Sequence, residues 1–200
     1  MIPIWRLTRN RYTRRLYESL GTIGVTAIRM IEYVADAGDQ SRVDESDRSL
    51  TVSFVAAPAT DDSLARYDLD FTGPISFLNG EWVVVATVAD EAVGRVLVSA
   101  GGEPYITPLR KRLAFDGAYV RRLYVDRTWR GNGIATRLIQ NALRIAEDEL
   151  NEKVVSALIT PHNKPSHWAF ETNGFRPVRC HDYARALGIE YRRVTTLKSP

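Results

Sequence analysis

The stretch Leu123-Tyr124-Val125-Asp126-Arg127-Thr128-Trp129-Arg130-Gly131-Asn132-Gly133-Ile134-Ala135 decides how the 200-residue chain is read. It begins at the end of a strand-like run (118–125) and passes a glycine-bearing turn. It then enters a pattern over 133–150 in which Ile134, Leu138, Ile139, Ala142, Leu143, Ala146 and Leu150 share one helical face. The first turn of a helix has backbone N–H groups without intrahelical partners, and the positive end of the helix dipole points the same way. Together they make an anion site, with phosphate the usual guest. Gly131 and Gly133 lack a Cβ, so a diphosphate can approach the backbone, and Arg130 can add a charge-assisted contact. Glycines before a helix also serve plain tight turns, so the pair alone leaves both readings open. The stretch is not a Walker loop, because no Gly-Lys-Ser/Thr follows, and its spacing differs from the dinucleotide fingerprint.

Working outward, 153–159 reads as a strand, so 118–159 forms a βαβ unit with parallel strands. Residues 166–172 read as a short helix ended by Asn173-Gly174, and 176–180 and 190–197 as two final strands. On the N-terminal side, 81–89 and 92–100 read as a hairpin turning at Asp90-Glu91. Residues 51–57 read as a strand and 58–70 as a turn with a short helix. Leu20, Ile23, Ala27, Met30, Ile31 and Val34 recur at spacings of three and four, which predicts a helix over 20–36; the polar run 36–49 reads as a loop. The order from residue 50 is β-α-β-β-β-α-β-α-β-β. That implies an α/β (α+β) fold, a mixed twisted sheet with helices on both faces. The division is 1–49, a basic N-terminal extension, and 50–200, the folded domain.

A chain of this length is expected to form one domain. With 44% hydrophobic and 26% charged residues, it has the composition of a globular protein, not of a disordered chain or a disulfide scaffold. The lone Cys180 fits a reducing, cytoplasmic setting. No uncharged apolar run is long enough to span a membrane. Residues 1–30 carry six arginines against one acid, net +5; the remainder is near neutral at net −2. The basic surplus is therefore an N-terminal feature and no argument that the body binds nucleic acid. Residues 1–18, where arginines alternate with Trp5, Tyr12 and Tyr17, suit contact with nucleic acid or the ribosome. A solvated basic arm or a homodimer contact explains them equally well.

Arg130-x-x-Gly133-x-Ala135 resembles the Arg/Gln-x-x-Gly-x-Gly/Ala signature of the GNAT N-acyltransferase superfamily. Leu123-x-Val125 is similar to the end of that family's fourth strand. A second block agrees: Asn163, Ser166, Phe170, Gly174 and Phe175 keep the spacing of the family's Asn-x-x-Ala/Ser-x-x-Phe-Tyr-x-x-x-Gly-Phe segment. The resemblance covers roughly residues 50–198. It implies a GNAT fold and transfer of the acetyl group of acetyl-CoA to a primary amine, by direct attack in a ternary complex without a metal. By position, N–H groups of Gly131, Asn132, Gly133, Ile134, Ala135 and Thr136 would hold the CoA diphosphate, with Arg130 beside them. The main chain of Leu123, Tyr124 and Val125 would pair with the pantetheine arm like an added strand, where two strands splay apart. Asn163 and Phe170 would complete the cofactor site.

The family often has a tyrosine, the usual proton donor to the CoA sulfur, where this chain has Phe170, which cannot donate. His167, three residues earlier, is the catalytic candidate. A half-exposed surface histidine is the plainer reading, and it serves for His162 and His181 as well. No carboxylate is singled out as general base; Glu81, Asp116 and Tyr119 are the candidates. His162, His167, Cys180 and His181 show no zinc spacing. Acceptor specificity is expected from loops 58–80, 101–117 and 181–189. Because of Phe170, a CoA-binding sensor without catalysis is the rival reading. The arginine arm keeps open a second rival, an acetyltransferase acting on an RNA- or ribosome-associated amine.

Overall fold

The computed structural model describes residues 25–38, 51–66, 77–78 and 80–197. The arginine-rich segment 1–18 lies outside them. The described elements are β1 (Thr26–Asp36), β2 (Ser53–Pro58), α1 (Asp61–Arg66), β3 (Trp82–Val88), β4 (Glu91–Ser99) and a small ribbon of β5 (Tyr105–Ile106) and β6 (Lys111–Arg112). They continue with β7 (Ala118–Val125), α2 (Ile134–Asp148), β8 (Val154–Ile159), α3 (Lys164–Thr172), β9 (Arg176–Ala186) and β10 (Ile189–Thr196). Eight strands form one mixed sheet in the order β10-β9-β1-β8-β7-β4-β3-β2, and only β7 and β8 run parallel.

α2 and α3 cover one face. Ile134, Leu138, Ile139, Ala142, Leu143 and Ala146 of α2 pack with Val84, Val96, Val98, Val120 and Val155, and Ala169 and Phe170 of α3 join the same cluster. Each Leu or Ile so buried contributes roughly 1.5–3 kcal/mol. Asn173 ties the two helices, donating from Nδ2 to the carbonyls of Thr136 at 3.2 Å and Ala169 at 2.8 Å. On the opposite face, Ile106, Leu109 and Phe115 of the ribbon segment pack on Met30, Tyr119 and Tyr183, and Ala59, just before α1, packs on Val83, Val85 and Leu97.

Three expectations need correction. Of the helix expected over 20–36, residues 20–24 lie outside the described residues and Thr26–Asp36 is strand β1, which lies between β8 and β9, antiparallel to both. So a strand from before residue 50 sits inside the sheet built by the strands after it. Ile31, Tyr33 and Ala35 face α3's side and Ile28 and Met30 the other. A strand covered on both faces is apolar almost throughout, and helical spacings can be picked out of it by chance. The first hairpin turns at Ala89-Asp90, both left-handed (φ 48° and 66°), one residue before the expected place. Residues 181–186, expected in a loop, continue β9, and the turn to β10 is Leu187-Gly188, again with both φ positive.

His181 is no surface histidine. It is buried, 2.7 Å from the carboxylate of the equally buried Glu32 on β1, which Arg179 approaches at 3.0 Å. Those two partners let a carboxylate occupy an interior strand. Cys180 is buried, and burial pushes its thiol pKa up, as suits packing better than nucleophilic chemistry.

Candidate functional site

The parallel ladder of β7 and β8 is three pairs long: Ala118↔Val155, Tyr119↔Ser156 and Val120↔Ala157. Beyond Val120, β7 keeps β4 on one side and, among the described residues, has no strand on the other. At that point β7 bulges. Arg121 faces Leu97 and Tyr124 faces Arg95, so Arg122 and Leu123 together oppose Val96, and Arg122 takes φ +54°. The bulge shifts the side-chain phase, so Val120, Leu123 and Val125 all join the core under α2. An open strand edge, re-aimed by a bulge, thus leads directly into the loop 126–133.

That loop is held from within. Asp126 accepts from the N–H and hydroxyl of Thr128, bonds that hold its carboxyl below the ordinary range. Arg130 Nε donates to the Val125 carbonyl at 2.9 Å, and Asn132 donates to the Trp129 carbonyl at 3.1 Å. Val125's carbonyl is therefore already engaged, which leaves Leu123 as the freer partner for an added strand. Gly131 has φ +84°, and a Cβ built on it would meet nothing within 4 Å, so the space above it is open to a guest. Gly133, φ +69°, is the N-cap of α2 and, having no side chain, supplies no cap to the first-turn N–H groups. Arg127, Arg130, Gly131 and Asn132 are exposed around this helix start. The geometry suits a diphosphate attached to an extended, amide-bearing arm.

Leu123 through Thr136 run from the open edge of β7 into the first turn of α2, and some of them point inward. Ile134 and Thr136 are buried in the first turn of α2. Asn163 caps α3, accepting from Ser166 N–H. Phe170 is buried, edge-on to Phe175 at 4.9 Å, so its ring is core.

His167 has both ring nitrogens engaged. Nε2 donates to the carbonyl of Thr160, the residue after β8, at 3.0 Å, and Nδ1 lies 2.8 Å from the Tyr33 hydroxyl. That hydroxyl is also 3.0 Å from Glu171 Oε1. Tyr33 has one proton to give. If it goes to Glu171, Nδ1 must carry a proton of its own; if His167 is neutral, Tyr33 donates to Nδ1 and Glu171 loses it. Burial and the Glu171 bond push the Tyr33 pKa up to about 12. Sequence reasoning missed Tyr33 and Glu171.

The base candidates separate clearly. Glu81 is buried and takes two N–H bonds from Arg121, both 2.6 Å, and one from Leu78 N–H at 3.2 Å, so it anchors the residue at the foot of the bulge. Tyr119 is stacked on Phe115 at 4.3 Å, and burial pushes its pKa up to about 12. Asp116 lines a cavity of about 420 Å³ with Val154, Ser156 and Arg179, at the closed end of the β7–β8 pair. Among the described residues no group of three or more His, Cys, Asp or Glu is placed to hold a metal, and no helix is long and apolar enough to cross a membrane.

Comparison with known proteins bears on the family and the fold. Over 64 residues the chain is 45% identical to a Bacillus subtilis (strain 168) protein named "Putative phosphinothricin acetyltransferase YwnH", a match spanning 32% of this chain and 39% of that one. The fold is similar to a GCN5-related N-acetyltransferase from Kribbella flavida (TM-score 0.57, 13% identity, 86% of this chain and 64% of that chain). It is also similar to a tandem GNAT protein from the clavulanic acid biosynthesis pathway (TM-score 0.53, 14% identity, 88% and 56%). The chain thus spans less than two thirds of each of these relatives. Residues 50–175 match the model of the acetyltransferase (GNAT) family, and these carry both the glycine loop and the Asn163–Phe175 block: the chain belongs to that family.

Proposed function

We propose that the protein is an acetyl-CoA-dependent N-acetyltransferase acting on a primary amine in a ternary complex. The observation that carries this reading is the open, bulged edge of β7 running directly into an uncapped helix start with free space above Gly131. The N–H groups of residues 131–136, with Arg130, hold the diphosphate. Leu123 pairs with the pantetheine arm, and backbone N–H groups at the bulge receive the developing oxyanion. The amine nitrogen bonds to the acetyl carbon as the C–S bond breaks; the amine loses a proton and the thiolate takes one.

His167 is the proposed proton donor. In its favour are its place at the end of the strand bordering the cleft, with Nε2 on the Thr160 carbonyl, and the Tyr33 hydroxyl at Nδ1, which can accept from a ring that carries both protons while donating to Glu171; that ring gives one proton to the thiolate and regains one from the proton the amine releases. This arrangement answers the loss of the family's tyrosine at Phe170. Thermal unfolding with acetyl-CoA, CoA and ATP, followed by thiol release over an amine panel, tests the reading. Saturating acetyl-CoA at 100 times its Kd stabilises by about 2.7 kcal/mol, a shift of roughly 5–10 °C for a chain of this size. Binding without thiol release on any amine would favour the sensor reading instead. His167→Gln should lower kcat and flatten its pH profile; an unchanged profile would leave His167 a mere tie between β8 and α3.

A further inference from the structure

Strand β10 closes one end of the sheet and, among the described residues, pairs only with β9, in an unbroken eight-residue register. Its hairpin fixes which groups point outward. Ala186 and Ile189 flank the two-residue turn Leu187-Gly188, and such a flanking pair exchanges its hydrogen bonds. Ile189, Tyr191, Arg193 and Thr195 therefore turn their N–H and C=O groups toward β9. Glu190, Arg192, Val194 and Thr196 turn theirs to the open edge. The strand contains no proline and no bulge, and it and its turn expose apolar side chains: Leu187 of the turn by 90%, then Ile189 by 75%, Tyr191 by 55% and Val194 by 51%. Edges of this length and character are normally covered.

We propose that a second copy of this chain covers it, β10 pairing antiparallel with β10 about a twofold axis at Tyr191, so that the two sheets become one. The charges select the partner and the register. In a twofold ladder the central residue faces itself and its two neighbours face each other across the axis. Centring on Glu190, Arg192 or Arg193 sets like charges directly opposite, which is destabilising. Centring on Val194 gives no opposite-charge pair among the described residues. Centring on Tyr191 sets Glu190 of each copy against Arg192 of the other, and these are the residues whose backbone groups face outward. Tyr191 then meets Tyr191, and Ile189 meets the aliphatic stem of Arg193. Within one chain Arg192 already lies 2.6 Å from Glu190, so the axis is ringed by four charges of alternating sign.

The test is sedimentation velocity on the full chain and on Glu190→Arg and Arg192→Glu, with hydrogen exchange on the β10 amides. The wild type should be a dimer at micromolar concentration, with the Glu190 and Arg192 amides protected and that protection lost on dilution. Each single variant should be a monomer, because each puts like charges across the axis. An equimolar mixture should recover a dimer, because one chain then offers two bases at these positions and the other two acids. A wild-type monomer, or a dimer that both variants leave intact, overturns the proposal. If a variant fails to fold, the wild-type exchange decides alone: exposed Glu190 and Arg192 amides in a concentrated sample overturn it equally.

Discussion

Gly131→Asp, read beside Gly131→Ala, puts the anion site to its sharpest test. A Cβ at residue 131 meets no atom within 4 Å, so the fold itself is disturbed only through the left-handed backbone, φ +84°. That costs roughly 1–2 kcal/mol for alanine and less for aspartate, whose short polar side chain tolerates the region, so Tm should fall by only about 2–8 °C. The effect on ligand is larger and of a different kind. A carboxylate about 5 Å from one phosphate charge is repelled by roughly 0.8 kcal/mol at water's dielectric and about 3 kcal/mol at an effective dielectric of 20. Affinity of Gly131→Asp for acetyl-CoA should therefore drop by about fourfold to a few hundredfold. Gly131→Ala should lose less, through its methyl group alone. Calorimetric titration at low and high salt separates the two: the aspartate penalty should shrink as salt screens it, and the alanine penalty should not. If Gly131→Asp binds acetyl-CoA as tightly as wild type, the diphosphate does not lie on this loop and the site reading fails.

Three further outcomes follow from the surroundings of the site. Glu81→Ala removes the carboxylate that takes two N–H groups of the largely buried Arg121 and should cost about 2–4 kcal/mol in urea unfolding. Its kcat should fall more than that of Glu81→Gln if the pair steadies the bulge at Arg122, and equal stability of all three proteins would sink that idea. Gly117→Ala should be the most damaging of these changes, by more than about 3 kcal/mol. A Cβ there would sit 2.1 Å from the Val154 carbonyl oxygen at φ +84°, wedging apart the closed end of β7 and β8, as soluble expression and circular dichroism would reveal. Alkaline pH should destabilise the protein between about pH 10 and 12. Tyr33 and Tyr119 titrate near 12 in the fold, above the ordinary value of 10.0, so the unfolded chain loses its protons first; the stability they give is complete below pH 10 and drains away through 12. Two such groups give a slope of up to about 2.7 kcal/mol per pH unit, and Tyr33→Phe should remove about half of it.

What the sequence discloses and what it hides follow one physical distinction. The proposed diphosphate loop is legible because its parts must be contiguous: a strand end, two residues able to take positive φ and a helix start all fall within 123–136. Even the bulge leaves a trace, since Val120 and Leu123 are both core residues three apart in a strand, and the alternation slips at Arg121-Arg122. β1 is hidden for the opposite reason. Both of its faces are covered, so no period of two survives, and its buried acid, Glu32, looks like a helix's solvent face until Arg179 and His181 are set beside it. The same strand carries Tyr33, which reaches His167 across 134 positions and Glu171 across 138. No local pattern could announce such a pairing, because each member has an ordinary role alone: an aromatic in a strand, a histidine and an acid on a short helix. The proposed cofactor half of the site is thus written in local backbone chemistry. The proposed proton half is assembled by topology, through a strand that enters the sheet from before the segment that carries the family's motifs. If Tyr33→Phe alters the pH profile of kcat as His167→Gln does, the two act as one unit, and β1 belongs to the catalytic apparatus as much as the glycine loop does.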